Sequence, residues 1–249
     1  MIKSEVRNNT GLITFNRPEK RNALNPEMSS LIREKLGEFA LDGNIKAVIL
    51  TGEGTSFCAG ADLSWLNKIK DYPSVRNEED TEGVAELFLT IYDYPKPVIA
   101  AVNGPAVGGG CGLASVCDFV IADTKEAKFG YTEVKIGFIP AIVSIFLIKK
   151  IGEGKAKQLL LIGEIIESEK ALQLGLVDYL SGNVVKDAFS FAEKLNANSS
   201  YSMSLTKDLI RNISNMNVHD AVNYSIRLNA ISRSSEDFKI GINKFLNKN

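Results

Sequence analysis

The sequence predicts an α/β core followed by a helical C-terminal region. Strand-like and helix-like segments alternate up to about residue 184, whereas the remaining chain shows helical patterns with no strand between them. Two β-branched runs, residues 47–50 and 98–102, are each followed by a turn of small residues and then by a helical pattern. Such alternation followed by helices alone is typical of an α/β domain with a helical appendage. We therefore predict a core over residues 1–184 and a helical region over residues 185–249.

The core is predicted to begin with a hairpin and a capped helix. Residues 2–8 and 11–15 form the hairpin, about a turn of Asn, Thr and Gly. Asn25 and Pro26 mark a helix start, because Asn is a preferred N-cap and proline is favoured at the first helical position. The polar and acidic residues 71–82 are predicted to be a mobile loop. Further strands are predicted at residues 46–51, 97–102, 118–122 and 176–180, and further helices at 63–70, 79–93 and from Gly109 onward.

The C-terminal region is predicted to consist of four helices. They span residues 186–196, 200–213, 217–232 and 235–246. Apolar positions recur on these helices, which permits them to pack against another surface.

The composition favours an ordinary globular protein and excludes several classes of function. The chain has 249 residues, 45% of them hydrophobic and 24% charged, with a formal net charge of −1. That charge gives no electrostatic basis for binding nucleic acid or an anionic membrane. No signal peptide or membrane-spanning run is evident. Three cysteines without a C-x-x-C motif predict buried thiols rather than disulfides or a zinc site, so we expect a cytoplasmic protein without a bound metal.

Two turns of small residues are the strongest candidates for a functional site. One spans residues 57–62 and the other residues 103–112, and each leads from a strand into a helix. Backbone N–H groups at a helix start lack intrahelical partners, so those of Ala61 and Gly109 can stabilise a carbonyl oxygen that gains negative charge. The glycine run lacks both the Walker A ending and the dinucleotide fingerprint. The other interpretation of this run is a closely packed structural turn.

Proton transfer in such a site must rely on carboxylates. The only histidine, His219, lies in a polar part of the C-terminal region and is predicted to be a surface residue. Glu133 lies between a short apolar strand and an apolar run, where burial would raise its pKa and suit it to acid–base chemistry. An exposed glutamate at a helix start is the equal alternative. Asp62 and Asp118 are predicted to bond backbone groups at turn ends.

Several motifs together resemble one family over essentially the full length of the chain. The family is that of the crotonases (enoyl-CoA hydratases and isomerases). The motifs are Asn16-Arg17-Pro18-Glu19-Lys20-Arg21-Asn22-Ala23-Leu24, the turn from Cys58 to Asp62, residues 96–104, Gly108-Gly109-Gly110, Cys117-Asp118, Glu133 and Gly175-Leu176-Val177.

The resemblance implies a ClpP/crotonase-like spiral of ββα units, a helical C-terminal trimerisation region and acyl-CoA thioester substrates. It assigns the oxyanion-hole N–H groups to Ala61 and Gly109, and one of two catalytic glutamates to Glu133. It implies no metal or redox cofactor, and a homotrimer or a dimer of trimers. The residues implied to line the pocket for CoA and the acyl group are Lys20, Arg21, Ala23, Leu24, Ala59, Gly60, Asp62 and Leu63, with Lys20 and Arg21 as candidates for the CoA phosphates.

The chain departs from the family pattern at Gly112. Well-known enoyl-CoA hydratases carry their other catalytic glutamate at this position. A single carboxylate at Glu133 resembles the Δ3,Δ2-enoyl-CoA isomerases, whereas residues 133–144 are most similar to bacterial methylglutaconyl-CoA hydratase-like members. Hydration of a 2-enoyl-CoA is the favoured prediction, isomerisation is the first alternative, and a non-catalytic acyl-CoA-binding scaffold is the second. Acyl-chain selection is expected to depend on residues 64–85 and 138–147.

Overall fold

The computed structural model describes residues 1–247, and within that range it contains nine strands and eleven α-helices. The strands are β1 (Ile2–Arg7), β2 (Thr10–Phe15), β3 (Ala47–Gly52), β4 (Val98–Val102), β5 (Ala106–Val107), β6 (Phe119–Asp123), β7 (Lys128–Gly130), β8 (Ile165–Glu167) and β9 (Tyr179–Ser181). The helices are α1 (Pro26–Leu41), α2 (Leu63–Ile69), α3 (Ser74–Tyr92), α4 (Gly109–Val116), α5 (Ala141–Ile151), α6 (Glu153–Ile162), α7 (Ser168–Leu174), α8 (Val184–Asn196), α9 (Ser200–Ile213), α10 (Val218–Arg233) and α11 (Glu236–Leu246). Residues 248–249, the end of the predicted helical region, lie outside the described residues.

The strands form two sheets that are built by repeating units. The larger sheet has the order β1-β2-β3-β4-β6-β9, with β1 antiparallel to β2 and the other neighbours parallel. The smaller sheet has the order β5-β7-β8. The unit β4-β5-α4 contributes one strand to each sheet and then a helix, and β6-β7-α5 repeats that pattern. The structure therefore confirms the predicted α/β class and its ββα units.

The central strands of the larger sheet are buried on both faces. Every residue of β3 and β4 is buried, as expected for parallel strands covered by helices on both sides. Val48 and Leu50 of β3 face the main core, which α1, α3, α4 and α5 complete. Ala47 and Ile49 face the opposite side, where α8 packs through residues such as Phe189. The alternation of side chains along one strand thus supplies two hydrophobic layers.

The predicted mobile loop over residues 71–82 is wrong, because α3 already begins at Ser74. Pro73 precedes the helix, and the Thr81 hydroxyl donates to the carbonyl of Asn77 within it. The indole N–H of Trp65 in α2 donates to the Asp80 carboxylate at 2.8 Å. The acidic residues thus lie in the N-terminal half of a helix, where glutamate is a good helix former and negative charge is favoured.

The predicted hairpin, the capped start of α1 and the other early elements are confirmed. The Asn25 side chain accepts a hydrogen bond from the Met28 N–H, as an N-cap does. The strand predicted at residues 176–180 begins instead at Tyr179. The N–H groups of Leu176 and Val177 donate to the Ala171 carbonyl and complete the end of α7, so these two residues close a helix.

The C-terminal helices differ in how they pack. α8 contributes buried residues to the layer behind the larger sheet, whereas α9, α10 and α11 contain no buried residue. The division into residues 1–184 and 185–249 stays a prediction. Within residues 1–247, no helix has both the length and the apolar character needed to cross a membrane.

Candidate active site

The two turns of small residues lie directly against each other. Cys58, in the turn that follows β3, forms an isolated parallel bridge with Ala106 in β5. The N–H of Val107 donates to the Cys58 carbonyl at 3.0 Å, and the N–H groups of Phe57 and Cys58 approach the Pro105 carbonyl at 3.2 Å. These backbone hydrogen bonds bring the end of one turn beside the start of α4.

Gly60 makes this close approach possible. Its φ of +87° lies in the left-handed region, and a Cβ at this position would lie 2.7 Å from the Val107 carbonyl oxygen and 3.2 Å from the Gly109 nitrogen. A Cβ placed on Gly109 would in turn lie 3.9 Å from the Ala61 nitrogen. The backbones of Gly60, Ala61 and Gly109 therefore lie close together, and the nearest side chain at Gly109 is that of Leu24.

The N–H groups of Ala61 and Gly109 are both available to a ligand. Within residues 1–247, neither donates to a backbone carbonyl. Gly109 is the first residue of α4, where the helix dipole places partial positive charge. Ala61 is exposed and Gly109 is half-buried, so both positions are open from outside. The arrangement can place two N–H donors beside one carbonyl oxygen, and their role as an oxyanion hole stays a prediction.

A second chain segment fixes the turn that contains Ala61. Leu24 pairs with Ala61 as an isolated parallel bridge, through Leu24 N–H to the Gly60 carbonyl at 2.7 Å and Asp62 N–H to the Leu24 carbonyl at 2.8 Å. This pairing engages the residues on both sides of Ala61 and leaves its own N–H pointing away. The pocket residues implied on the two segments are thereby brought together.

A buried ion pair between Arg17 and Asp62 stabilises the same turn. The Arg17 guanidinium donates to the Asp62 carboxylate at 2.7 Å, and to the Ala23 carbonyl at 2.5 Å. The other Asp62 oxygen accepts the Ser64 N–H and caps α2. Burial alone would raise the pKa of Asp62, but the Arg17 charge and these hydrogen bonds together hold it below its ordinary value. Asp62 thus bonds a backbone group at a turn end, as predicted.

The remaining pocket residues implied by the resemblance lie around this turn. Ala23 and Leu24 are buried, and the Ala59 N–H donates to the Arg21 carbonyl at 3.0 Å. Lys20 and Arg21 are exposed, as contacts to phosphate groups would require. Leu63 is also exposed. Whether each of these side chains contacts CoA or the acyl group stays a prediction.

Glu133 lies on the same side as the glycine run. It begins a short 3-10 turn, Glu133–Ile136, directly after β7. β7 pairs with β5, and the Gly108 N–H donates to the Gly130 carbonyl at 2.8 Å. A Cβ on Gly108 would lie 3.1 Å from the Glu133 Oε1 atom. The carboxylate therefore lies against the residue that precedes the Gly109 N–H.

The electrostatic surroundings of Glu133 favour its neutral form. Its Oε2 atom is buried and has no hydrogen-bond partner within residues 1–247. Burial raises the pKa of Glu133, and a hydrogen bond from its own backbone N–H opposes that shift only in part. Of the two interpretations of Glu133, the structure combines parts of both: the residue begins the turn but is half-buried, with one buried carboxylate oxygen. A carboxylate with one buried, unpartnered oxygen and a raised pKa is suited to accept and return a proton.

Apolar side chains fill the space that a residue larger than glycine would need at position 112. Gly112 is buried in α4, and a Cβ there would lie 2.2 Å from Val143 Cγ1 and 3.0 Å from Phe88 Cε1. Val143 belongs to α5 and Phe88 to α3. A larger residue cannot be placed here unless Val143 moves away, and the Phe88 ring must give way as well.

A polar cluster anchors α4 to the segment between β7 and Glu133. The hydroxyl groups of the fully buried Tyr131 and of Ser115 lie 2.8 Å apart, and the Ser115 hydroxyl donates to the Cys111 carbonyl. Burial raises the pKa of Tyr131 well above its ordinary value, so it stays a neutral phenol. Tyr131 lies two residues before Glu133, and its hydroxyl fixes the start of the turn.

The remaining residues of interest are exposed on the surface, buried in the core or bonded to the backbone. His219 is exposed, and Asp118 accepts the Val98 N–H at 2.7 Å. All three cysteines are buried, and burial raises the pKa of each thiol to about 12. Asn22 bonds the carbonyls of Glu53 and Ser56. Sequence reasoning missed the roles of Arg17, Asn22, Phe88, Tyr131 and Val143; Arg17 and Asn22 belong to the first motif of the resemblance, but no local signal gave their partners.

Comparison with known proteins assigns the chain to a family. A family model described as enoyl-CoA hydratase/isomerase matches residues 5–249. The chain is 41% identical over 250 residues to a protein of Thermus thermophilus named "Putative enoyl-CoA hydratase", covering 100% of this chain and 98% of that protein. It is 33% identical over 240 residues to the 2,3-dehydroadipyl-CoA hydratase of Escherichia coli, covering 95% and 92%. A crystal structure of an enoyl-CoA hydratase from Shewanella pealeana matches with a TM-score of 0.95 at 28% identity, covering 99% of this chain and 93% of that one. These matches confirm the predicted fold, and the chain belongs to the enoyl-CoA hydratase/isomerase, or crotonase, family.

Proposed function

We propose that this enzyme adds water to a 2-enoyl-CoA through a thioester enolate. The observation that carries the proposal is the half-buried Glu133 carboxylate against Gly108, with its buried and unpartnered Oε2 atom, next to the free N–H of Gly109. A thioester whose carbonyl oxygen is bound between the N–H groups of Ala61 and Gly109 would lie near the Glu133 carboxylate. The CoA thioester is the substrate and not a cofactor. The proposed steps involve this thioester, water and groups of the protein.

The proposed reaction assigns every proton to an atom. The ionised Glu133 takes a proton from water as the water oxygen bonds to Cβ of the enoyl group. The electrons of the double bond move toward the thioester, whose oxygen is stabilised by the two N–H donors. Glu133 then gives its proton to Cα, and the enolate returns to a thioester. One carboxylate thus serves as base and then as acid.

A specific observation also favours isomerisation as a second candidate. Val143 and Phe88 cover Gly112, so no second carboxylate is available there to hold water. A Δ3,Δ2-enoyl-CoA isomerase needs one carboxylate, which takes a proton from C2 and returns it at C4. Glu133 is suited to that reaction as well. The relatives named as hydratases support hydration as the first choice.

Substitution of Glu133 by Gln tests the proposal. Glutamine keeps the shape of the side chain but cannot accept the proton, so kcat should fall about 100- to 10,000-fold. Binding of a saturated CoA ester should change little, because the oxyanion donors remain. The measurement is the loss of enoyl-thioester absorbance with crotonyl-CoA, run beside an assay with a 3-enoyl-CoA.

The exposed Glu126 supplies the control, since Glu126→Gln should leave both assays unchanged. Turnover of Glu133→Gln near the wild-type rate would refute the assigned role. Activity on the 3-enoyl-CoA alone would select the isomerase. Binding without activity in either assay would select the scaffold.

The pH profile of the wild type adds a further readout. Glu133 must be ionised to accept a proton, so kcat/KM should decline as pH falls through its raised pKa.

We also infer a homotrimer or a dimer of trimers and a cytoplasmic location, with no nucleic-acid or membrane partner. The exposed apolar faces of α9, α10 and α11 support self-association. The net charge of −1 supports the exclusion of nucleic acid. Lys20 and Arg21 are proposed to contact the CoA phosphates, and residues 23–24 and 59–63 to line the rest of the pocket.

A further inference from the structure

The Glu133 carboxylate depends for its position on the backbone of its own turn. Its Oε2 atom has no hydrogen-bond partner within residues 1–247. Burial raises the pKa of Glu133, and the hydrogen bond that opposes this shift comes from the residue's own backbone N–H. The place of the carboxylate in the site is therefore set by the contacts that hold the start of the turn Glu133–Ile136.

Tyr131 joins the start of this turn to α4. Its side chain is fully buried, and its hydroxyl lies 2.8 Å from that of Ser115. The Ser115 hydroxyl has one proton, which it donates to the Cys111 carbonyl at 2.8 Å. The Tyr131 hydroxyl is therefore the donor of the pair and the Ser115 hydroxyl is the acceptor. This bond links the residue two positions before Glu133 to the helix that begins with Gly109.

A second bond joins the same segment to the opposite end of α4. The Gly108 N–H donates to the Gly130 carbonyl at 2.8 Å. Gly108 directly precedes α4, whereas Ser115 is the last residue but one of that helix. The consecutive residues Gly130 and Tyr131 are thus attached near both ends of one short helix. Two separate attachments fix the orientation of the segment relative to the helix as well as its distance from it.

The buried groups around this attachment are close enough to Glu133 to respond to its charge. Burial raises the pKa of Tyr131 well above its ordinary value and that of the Cys111 thiol to about 12. The negative charge of Glu133 raises both pKa values further. The Tyr131 hydroxyl therefore stays neutral at physiological pH, where it acts as a hydrogen-bond donor and not as an acid.

We propose that Tyr131 is a positioning residue for the reaction, whose hydrogen bond to Ser115 fixes the Glu133 carboxylate relative to the Gly109 N–H. The inference rests on the proposed function, because it requires Glu133 to move a proton at a thioester bound by Gly109. Tyr131 is fully buried and acts through Glu133 rather than by contact with the substrate. Proton transfer depends steeply on this placement, since a shift of about 1 Å costs about 100-fold in rate.

Substitution of Tyr131 by Phe tests the proposal, because it keeps the ring and removes the donor. For crotonyl-CoA, kcat should fall about 10- to 100-fold. Binding of butyryl-CoA, a saturated ester, should change little, because the N–H donors for its carbonyl remain. Ser115→Ala should lower kcat by a similar factor. The double variant should be no slower than either single variant, because both changes remove the same hydrogen bond.

Tyr94 supplies the matched control. It is also a buried tyrosine, and its hydroxyl donates to the Leu36 carbonyl at 2.9 Å. Tyr94→Phe and Tyr131→Phe each remove one buried hydrogen bond, so both should lower the midpoint of urea unfolding by a similar amount. Only Tyr131→Phe should lower kcat. An unchanged kcat in Tyr131→Phe, or single losses that multiply in the double variant with Ser115→Ala, overturns the inference.

Hydrogen exchange at Cα of butyryl-CoA in heavy water separates this inference from the proposed hydration. In this exchange the ionised Glu133 takes a proton from Cα, loses it to the solvent and returns a deuteron to Cα, with no addition of water. Glu133→Gln should abolish the exchange, and Tyr131→Phe should slow it about 10- to 100-fold. Exchange that needs both residues, without hydration of crotonyl-CoA, refutes hydration and supports the positioning role. Hydration by the wild type, with exchange unchanged in Tyr131→Phe, refutes the positioning role alone.

Discussion

Arg17 and Asp62 form the ion pair on which the turn of Ala61 depends. Their side chains are only 11% and 7% exposed, and the guanidinium also bonds the Ala23 carbonyl. Removing one member of a buried pair leaves the other charge without compensation in a poorly solvated place. The backbone of Ala61 is adjacent to Asp62, so the same change should also disturb the proposed oxyanion donor.

Arg17→Met should therefore lower the free energy of unfolding by about 3 kcal/mol. Adding Asp62→Asn should restore part of that loss, because asparagine keeps the cap of α2 and removes the unpaired charge. Since the pKa of Asp62 is lowered on folding, the pair stabilises the protein above the unfolded-state pKa. The difference between wild type and Arg17→Met should shrink as pH falls through the folded-state value. Urea denaturation at several pH values measures it.

The exposed pair of Lys3 and Glu53 is the matched control. Its side chains are 59% and 43% exposed, so Lys3→Met should cost less than about 1 kcal/mol. Equal losses for Lys3→Met and Arg17→Met would contradict the role of the buried pair.

The site residues proposed from sequence patterns are ones whose signal lies within one short segment. Ala61, Gly109 and Glu133 each belong to a local motif, and the structure brings their surroundings together. The partner of Asp62 was not predictable, because Arg17 lies 45 residues away and no periodicity relates the two. Such contacts depend on how the strands pair.

At the scale of elements, the packing of α4 against α5 decides what position 112 can hold. Val143 of α5 occupies the space beside Gly112, and Phe88 of α3 closes the other side. The absence of a second glutamate is thus accompanied by a tight interface between helices. The space beside Gly112 is therefore filled by neighbouring side chains and is not empty.

Gly112→Ala should destabilise the protein by roughly 1–3 kcal/mol, because the added Cβ overlaps Val143. Alanine has a higher helix propensity than glycine, so propensity alone would make this substitution stabilising. A loss of stability would therefore reflect packing. The change combined with Val143→Ala should cost less than the sum of the two single changes, since the smaller side chain frees space. Thermal and urea unfolding give the four values of this cycle.

Gly37 is the control, because it lies exposed within α1 and a Cβ added there would meet nothing within 4 Å. Gly37→Ala should stabilise the protein by about 0.5–1 kcal/mol. A neutral Gly112→Ala, or strictly additive effects with Val143→Ala, would contradict the close packing. The same overlap means that Gly112→Glu alone should not increase hydration of crotonyl-CoA.

The longer elements were predictable from periodicity, and the short ones were not. The span of α9 was predicted to the residue, because its apolar positions recur at helical spacing. β5 and β8 have two and three residues, too few for any alternation to show. The start of α3 was missed because its first turns are polar, and only the contacts of residues such as Trp65 reveal the helix.

At the scale of the whole molecule, the C-terminal helices leave an apolar surface that residues 1–247 of the single chain do not cover. A cavity of about 790 Å³ between α9 and α10 is lined by Leu205, Leu209, Val222 and Ile226, among others. Large hydrophobic side chains of α11, such as Phe238 and Phe245, are exposed. Contiguous apolar surface of this kind marks an interaction site more often than a free surface.

If these helices join copies of the chain, a charge placed in the cavity between α9 and α10 should separate the copies. Ile226 is 61% exposed in the single chain, so Ile226→Glu costs little stability in a monomer but places an unpaired carboxylate in a subunit interface. Light scattering coupled to size-exclusion chromatography should show the wild type with three or six times the monomer mass, and Ile226→Glu with a smaller mass. Leu41→Glu is the control, because Leu41 is 90% exposed at the end of α1, away from the groove, and its change should leave the mass unaltered. A wild-type monomer, or an assembly that tolerates the charge at Ile226, would contradict self-association through α9 and α10.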